Sequence, residues 1–195
     1  QYTCIINLKP MNGIRKLDRF LDTVNGRLGV YGLFICSVET LEQRAERLKE
    51  KYSSFVYYLI FLPDFLINRV IPRLRITRGL WEFFTGGANA PFSRAEALGR
   101  LSRAGFAIKQ EKFAGDMLCI KAERRSEPRP ANENGYGMII TLPRIGRDGR
   151  TFNVYKLRTM HPYSEYIQDY VYGLHSIADG GKMKDDFRVT AWGHF

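Results

Sequence analysis

The pair Asp148-Gly149 constrains the fold of this chain more than any other feature, because it marks a tight turn between two stretches of alternating residues. Asp-Gly is strongly favoured at two-residue hairpin turns, where both central positions need a positive φ. Alternation of residue character on both sides is typical of paired strands. The sequence therefore predicts an antiparallel hairpin formed by residues 138–145 and 151–158.

The predicted hairpin is strongly basic. Its cationic side chains are Arg144, Arg147, Arg150, Lys156 and Arg158. Guanidinium groups are planar and permanently charged, and they bind phosphate oxygens through paired hydrogen bonds. The pattern therefore favours a phosphate-bearing ligand. The alternative is a solvated basic surface that has no ligand.

Three motifs in a fixed order resemble those of a known family. They are RIGRDG at residues 144–149, YKLRTM at 155–160 and DDFRVTAWG at 185–193. With these motifs, residues 136–195 resemble the opening part of the bacterial sugar transferases, the monotopic polyprenyl-phosphate phosphoglycosyl transferases. The resemblance covers less than a third of the chain. It implies that residues 136–195 form the N-terminal part of a sugar transferase domain, which opens with the hairpin and a helix.

The resemblance also implies a reaction. In that family an aspartate attacks the β-phosphate of a nucleoside-diphosphate sugar, nucleoside monophosphate leaves, and polyprenyl phosphate then accepts the phosphosugar. The catalytic Asp-Glu pair of the family falls beyond the position of Phe195. No catalytic residue is therefore expected within residues 1–195, and this chain alone is expected to be inactive. Magnesium is the implied cofactor, and its ligand is likewise expected beyond Phe195.

Five residues are candidates for binding the phosphates of the substrate. They are Arg144, Lys156, Arg158, Thr159 and Arg188. Cationic side chains offset phosphate charge, which is the main requirement of phosphoryl transfer. For each basic candidate the alternative is a surface or structural ion pair, and Asp185 and Asp186 are available partners for Arg188.

A formal net charge of +10 favours anionic partners, but charge alone does not choose between nucleic acid, an acidic membrane surface and phosphorylated substrates. The resemblance implies a nucleoside-diphosphate sugar, polyprenyl phosphate and the membrane surface as partners. It also implies a peripheral or monotopic location at the cytoplasmic face of the bacterial inner membrane, in exopolysaccharide, capsule or glycoconjugate assembly. The sequence has no helix-turn-helix, zinc or RNA-binding pattern, so no nucleic-acid partner is expected. It gives no signal for an oligomeric state.

Residues 1–125 alternate between strand-like and helix-like patterns. The predicted elements are a buried strand in residues 1–8, a helix over 14–28 ended by Gly29 and Gly32, a strand over 33–38, a helix over 42–51, a helix starting at Ser93, and a hairpin of 106–113 with 117–123. Ser93 and Glu96 have the spacing of a capping box. The order of elements predicts an α/β fold with a partial Rossmann-like sheet.

This upstream part resembles the C-terminal half of a class I methyltransferase-like domain, most closely in SRAEALGRLSRAGF at residues 93–106. The glycine-rich loop of such a fold would precede residue 1, and the chain contains no Gly-x-Gly-x-x-Gly spacing. Methyl transfer therefore does not follow from these residues. A methyltransferase-like or regulatory Rossmann domain with a basic interaction module is the alternative function.

An apolar insertion at residues 53–84 interrupts the upstream part. It begins with SSFVYYLIFLPDFLINRVI at 53–71 and has basic flanks. Asp64 would lie near the bilayer centre in a spanning helix, and Pro63 would kink that helix. The segment is therefore predicted to bend into one leaflet, or to lie in the interface with Tyr57, Tyr58 and Trp81 at headgroup depth. The alternative is a buried helix-turn-helix lid over the sheet.

The remaining expectations concern boundaries and single residues. Residues 126–135 contain two prolines, mixed charges and a terminal glycine, so we predict a linker there. A helix is expected over 163–172. Cys4, Cys36 and Cys119 lie in apolar strand-like runs and are predicted to be reduced core thiols. The chain starts without Met, and we expect it to be a fragment cut at both ends.

Overall fold

The computed structural model describes residues 1–65, 92–130, 136–174, 186–190 and 193, which have a mixed α/β architecture. The strands are β1 (Tyr2–Ile6), β2 (Leu28–Val38), β3 (Phe106–Ala114), β4 (Met117–Arg124), β5 (Ile139–Ile145) and β6 (Thr151–Leu157). The α-helices are α1 (Leu17–Arg27), α2 (Leu41–Lys51), α3 (Ser54–Phe65), α4 (Arg94–Arg103) and α5 (Gln168–Leu174). Short 3-10 turns cover Met11–Gly13, Arg147–Gly149 and Ser164–Ile167. The predicted α/β class is confirmed at this level.

Four strands form a mixed sheet in the order β1-β2-β4-β3. Strands β1 and β2 are parallel and are connected through α1, whereas β4 runs antiparallel to both β2 and β3. The sequence predicted this order of strand, helix, strand, helix and hairpin. Strands β5 and β6 form a separate antiparallel sheet, as the Asp-Gly turn predicted.

Strand β2 is longer than predicted, because it begins at Leu28 directly after α1. Leu28 pairs with Tyr2 and Leu33 pairs with Cys4, so extra residues bulge out of β2 between these two pairs. Tyr31 has a φ of 64° within the bulge. The prediction that Gly29 and Gly32 end the helix is therefore wrong, since both glycines belong to the bulged strand.

The core covers one face of the four-stranded sheet. From Phe34 to Val38, every second side chain of β2 faces the core and is at most 2% exposed. The side chains between them point the other way and are partly exposed. Helices α1 and α4 supply the opposing layer, and Ala97, Leu98 and Leu101 of α4 are fully buried. The largest fully buried side chains include Phe34, Met11, Leu21, Leu28, Leu98, Leu101, Leu118 and Ile120.

Local signals mark both ends of α4, and the cap at Ser93 is the one that the sequence predicted. The hydroxyl of Ser93 accepts a hydrogen bond from the backbone N–H of Glu96 at 3.2 Å. Gly105 follows the helix with a φ of 85°. A side chain at Gly105 would also meet the carbonyl oxygen of Ser126, because a Cβ there would lie 2.1 Å from it. The chain therefore turns sharply at Gly105 into β3.

Two burial predictions for β1 and the cysteines are wrong. Strand β1 is an edge strand and is largely exposed. Cys4 and Cys119 are exposed because they pair with Leu33 and Ser37, on the face of the sheet opposite the core. Cys36 alone is a buried thiol, and burial raises the pKa of Cys36 to about 12.

Helix α3 contains the first part of the apolar insertion, with Pro63 inside it. Tyr57 is buried, whereas Phe55 and Tyr58 are exposed. Residues 66–91 lie outside the described residues, and with them Trp81. Within the described ranges, no helix has both the length and the apolar character needed to cross a bilayer.

The first half of the predicted linker is bonded to the upstream part. Ser126 N–H donates to Gly105 at 3.1 Å, and Arg129 N–H donates to the carbonyl oxygen of Arg103 at 2.7 Å. Residues 131–135 lie outside the described residues. The domain boundary at residues 126–135 stays a prediction.

The helix predicted over residues 163–172 is divided into two elements. Tyr163 has a φ of 62° and precedes the 3-10 turn Ser164–Ile167, which leads directly into α5. Ile167 and Val171 are buried in the same core as α1, β2 and α4. This part of the downstream segment therefore packs on the upstream core.

Candidate phosphate-binding site

The β5–β6 hairpin is closed by the predicted turn. Asp148 has a φ of 58° and Gly149 a φ of 74°, the positive values that both central positions of a type I′ turn require. The N–H of Gly146 donates to the carbonyl oxygen of Arg150 at 2.8 Å and closes the end of the ladder. Asn and Asp tolerate this conformation better than other non-glycine residues, which explains the Asp-Gly sequence.

Three of the five candidates lie on one face of the hairpin. Arg144 pairs with Phe152 and Lys156 pairs with Ile140, and directly opposite residues of an antiparallel pair share a face. Alternation adds Arg158 to that face, since its N–H extends the ladder by donating to Met138 at 2.7 Å.

Spacing along the strands separates these three residues into a pair and a single residue. Lys156 and Arg158 are two residues apart, which corresponds to about 7 Å along the strand. Along the hairpin, Arg144 lies four residues closer to the turn than Lys156 does. This separation corresponds to about 13 Å. Lys156 and Arg158 can therefore face one diphosphate, whereas Arg144 lies towards the far end of the hairpin.

The guanidinium of Arg158 is held in place by local contacts. Its Nε donates to the carbonyl oxygen of Gly137 at 2.9 Å, and its Cζ lies 5.2 Å from the ring centroid of Tyr136. The side chain is half-buried, whereas Arg144 and Lys156 are exposed. Arg158 is therefore the most strongly oriented cation of the hairpin face.

Thr159 and Arg188 lie where β6 leaves the hairpin. The carbonyl oxygen of Thr159 accepts hydrogen bonds from the backbone N–H and the hydroxyl of Thr190, at 2.8 and 2.9 Å. Arg188 is 3% exposed, and its Nη2 donates to Asp186 Oδ2 at 2.7 Å while its Nη1 bonds Gln168. The structure thus contains the ion pair between Arg188 and Asp186, which the sequence analysis gave as the alternative to phosphate binding. Asp185 lies outside the described residues.

Two tyrosines connect this site to the upstream part, and of these the sequence analysis did not single out Tyr136. The rings of Tyr136 and Tyr163 stack with their centroids 4.4 Å apart. Tyr136 O–H donates to Glu165 at 2.8 Å, and Tyr163 O–H donates to Asp18 Oδ2 at 2.5 Å. Burial, followed by the bond to Glu165, raises the pKa of Tyr136 well above its ordinary value. A tyrosine hydroxyl is protonated at neutral pH even without this shift, so Tyr136 is a hydrogen-bond donor to Glu165.

Helix α4 lies against the other side of Tyr163. Arg100 Nη1 bonds Asp18 at 2.7 Å, and the Arg100 guanidinium lies 4.3 Å from the Tyr163 ring centroid. The helix also brings Gly99 so close that a Cβ there would lie 2.3 Å from the carbonyl oxygen of Tyr163. The only sequence signal for this contact was a glycine inside a helical pattern, which often marks close packing.

A second group of contacts fixes α5. Tyr170 O–H donates to Glu111 at 2.8 Å, and Arg94 Nε donates to the same carboxylate at 2.9 Å. The Arg94 guanidinium also lies 4.2 Å from the ring centroid of Phe187. Strand β3, helix α4 and helix α5 therefore meet at one carboxylate, which is a structural arrangement with no reactive geometry of its own.

The implied magnesium stays a prediction, because its ligand is expected beyond Phe195. Across the described ranges, no group of three or more His, Cys, Asp or Glu side chains is arranged to hold a metal ion. Asp186 is engaged by Arg188 instead. Among the described residues, Lys156 and Arg158 are the cations that lie side by side on the hairpin face.

Comparison of this chain with protein-family models, with curated proteins and with solved structures returns no significant match.

Proposed function

We propose that this chain carries the opening part of a phosphoglycosyl transferase domain, which transfers a phosphosugar from a nucleoside-diphosphate sugar to polyprenyl phosphate at a membrane surface. The observation that carries the proposal is the pairing of Lys156 and Arg158 on one hairpin face, next to Thr159, within the three ordered motifs. A two-stranded ladder holds these cations at a fixed spacing. That spacing suits a diphosphate, whose two phosphate groups are close together.

In this proposal the hairpin positions the substrate and neutralises its charge. Lys156 supplies an exposed ammonium group with three donors, and Arg158 supplies an oriented guanidinium. Both stabilise negative charge that develops on the phosphate oxygens during displacement of the nucleoside monophosphate. The nucleophile is a carboxylate that the family resemblance assigns beyond Phe195.

The roles of the other candidates follow from their surroundings. Arg144 lies about 13 Å along the hairpin from Lys156, which suits the nucleoside or sugar end of the donor better than the scissile phosphate. Arg188 supports the exit of β6, because its backbone carbonyl oxygen accepts a hydrogen bond from His161 N–H at 2.8 Å while its guanidinium is paired with Asp186. We therefore assign Arg188 a supporting role in holding the residues that follow Arg158.

We further propose that residues 1–125 are part of a Rossmann-like domain of the methyltransferase-like kind. Support comes from the parallel β1–α1–β2 unit followed by the β3–β4 hairpin in a single sheet. Nothing in the described geometry assigns methyl transfer to it. In this account it is a scaffold on which the downstream segment packs.

Nucleotide binding by this chain tests the proposal. UDP and UDP-glucose serve as probes in isothermal titration calorimetry. We expect Lys156→Ala to weaken binding about tenfold or more, because loss of a charge-assisted hydrogen bond costs about 1.5–3 kcal/mol. Arg147→Ala is the matched control, since it removes the same charge from the exposed turn and should change the affinity far less.

Two results would contradict the proposal. Equal losses for Lys156→Ala and Arg147→Ala would indicate a diffuse basic surface. No binding of either nucleotide would leave the hairpin as a basic interaction module, which is the alternative function.

A further inference from the structure

Three successive residues, Tyr136, Gly137 and Met138, hold Arg158 at three points. The backbone N–H of Arg158 donates to the carbonyl oxygen of Met138 at 2.7 Å, and its Nε donates to the carbonyl oxygen of Gly137 at 2.9 Å. The Tyr136 ring lies beside the guanidinium, with 5.2 Å between Cζ and the ring centroid. These three residues therefore fix both the backbone and the side chain of Arg158.

Tyr136 also joins this end of the hairpin to the stretch that precedes α5. Its ring stacks on the ring of Tyr163 with 4.4 Å between the centroids and 29° between the planes. Its hydroxyl donates to Glu165 at 2.8 Å. Glu165 belongs to the same 3-10 turn as Ile167, which is buried in the core of the four-stranded sheet. The position of Tyr136 is therefore set by a part of the chain that packs on the upstream core.

The ring of Tyr163 is itself fixed to two upstream helices. Tyr163 is only 4% exposed. Its hydroxyl donates to Asp18 of α1 at 2.5 Å, and the guanidinium of Arg100 from α4 lies 4.3 Å from its ring centroid. The orientation of Arg158 thus depends, through two stacked rings, on α1 and α4.

A fixed orientation has a consequence for binding. A flexible side chain loses rotamer freedom when it binds a ligand, and this loss weakens the complex. Arg158 is half-buried and already held, so it loses less freedom on binding phosphate, whereas the neighbouring Lys156 is exposed. Removal of the Tyr136 ring should therefore weaken the contribution of Arg158 and leave that of Lys156 unchanged.

We propose that Tyr136 is a positioning residue of the candidate phosphate-binding site, which holds the Arg158 guanidinium in its binding orientation and couples that orientation to the upstream part through Tyr163. The effect on substrate binding rests on the proposed function, whereas the orientation of Arg158 is measurable without a ligand. In this inference the upstream part does more than support the hairpin, since it determines how one cation of the site is presented.

Nuclear magnetic resonance of the arginine Nε–H groups tests the orientation of Arg158 without a ligand. The signal of Arg158 is the one that disappears in Arg158→Lys. We expect Tyr136→Leu to shift this signal and to lower its order parameter, because the ring beside the guanidinium is lost. Tyr136→Phe keeps the ring and should leave the signal close to that of the unmodified chain.

Calorimetry with UDP and UDP-glucose tests the effect on binding. We expect Tyr136→Leu to weaken binding roughly twofold to tenfold, the cost of immobilising one flexible side chain, and Tyr136→Phe to bind nearly as the unmodified chain does. In an Arg158→Ala background Tyr136→Leu should cause no further loss, since a positioning residue acts through the residue that it holds. In a Lys156→Ala background its full effect should remain.

Tyr166→Leu is the matched control, because it removes a ring from the same group of tyrosines. The ring centroid of Tyr166 lies 6.1 Å from that of Tyr163, and the Tyr166 ring lies beside the guanidinium of Arg129, at 5.1 Å. This substitution should change neither the Arg158 signal nor the affinity for nucleotide.

Three results would overturn the inference. They are an unchanged Arg158 signal in Tyr136→Leu, an equal loss of affinity from Tyr136→Leu with and without Arg158, and an equal effect of Tyr166→Leu on the Arg158 signal. If neither nucleotide binds the unmodified chain, the proposed function fails separately. The Nε–H signal then decides by itself whether Tyr136 orients Arg158.

Discussion

At the scale of single residues, Gly99 and Tyr163 determine how the downstream segment packs on the upstream core. The Tyr163 backbone passes over α4 at a distance that only glycine permits. The Tyr163 side chain then reaches Asp18 on one side and the Tyr136 ring on the other. Because Tyr136 in turn contacts the Arg158 guanidinium, a short series of contacts connects α1 to the candidate site.

We predict that Gly99→Ala lowers the free energy of unfolding by about 1–3 kcal/mol, because the added methyl group would force the Tyr163 backbone away from α4. Replacement of glycine by alanine would by itself stabilise the helix by about 1 kcal/mol. The substitution is therefore expected to be destabilising only because of the clash with the Tyr163 backbone. Urea denaturation measures the difference.

Gly26→Ala is the matched control, since Gly26 lies in α1 and a Cβ there meets nothing within 4 Å. It should be neutral or stabilising. An equal gain in stability from both substitutions would show that Tyr163 does not approach α4 as closely as described.

Residue type alone did not separate the five phosphate-binding candidates. Lys156 and Arg188 are both cations in recognisable motifs, yet Lys156 is exposed and Arg188 is buried beside Asp186. The difference arises because the chain folds back to place Val189 against Met160. Contacts between distant segments of this kind leave no mark in the local sequence.

At the scale of elements, the sequence predicted those features that depend on local chemistry. The Asp148-Gly149 turn and the Ser93 cap were readable because their residue types satisfy a specific backbone need. The β2 bulge and the exposure of β1 were missed, since both depend on which strand lies alongside. The Tyr163 helix was predicted as one element, but the close approach to Gly99 holds Tyr163 outside the helix.

The packing of the 3-10 turn before α5 leads to a prediction about the downstream segment. Ile167 is 1% exposed and belongs to the core of the four-stranded sheet. Ile167→Ala should therefore lower the free energy of unfolding by about 2–5 kcal/mol. Hydrogen exchange should show the loss at the amides of β2 and β4, although Ile167 is far from them in sequence.

Leu157→Ala is the control for this measurement. Leu157 is of similar size but 68% exposed, so the change should stay within about 0.5 kcal/mol. Loss of protection confined to residues near Ile167, with β2 and β4 unaffected, would contradict a shared core.

At the scale of the whole molecule, the described residues combine two features. An α/β scaffold packs against the downstream segment, and a basic hairpin presents Lys156 and Arg158. A net charge of +10 suits each anionic partner proposed here. In the proposed function the hairpin binds the diphosphate of the substrate, and the upstream part supports it through the packed downstream segment.

Release of nucleoside monophosphate tests the central proposal most directly. The full-length gene product is incubated with a nucleoside-diphosphate sugar, polyprenyl phosphate and Mg²⁺, and turnover is compared with that of Arg158→Ala. We predict release by the unmodified protein and a decrease of about tenfold or more in the variant, since one charge-assisted phosphate contact is lost. Arg147→Ala should remain close to the unmodified rate. Absence of nucleoside monophosphate release, or an unchanged rate in Arg158→Ala with the fold intact, would contradict the assignment of the hairpin to phosphosugar transfer.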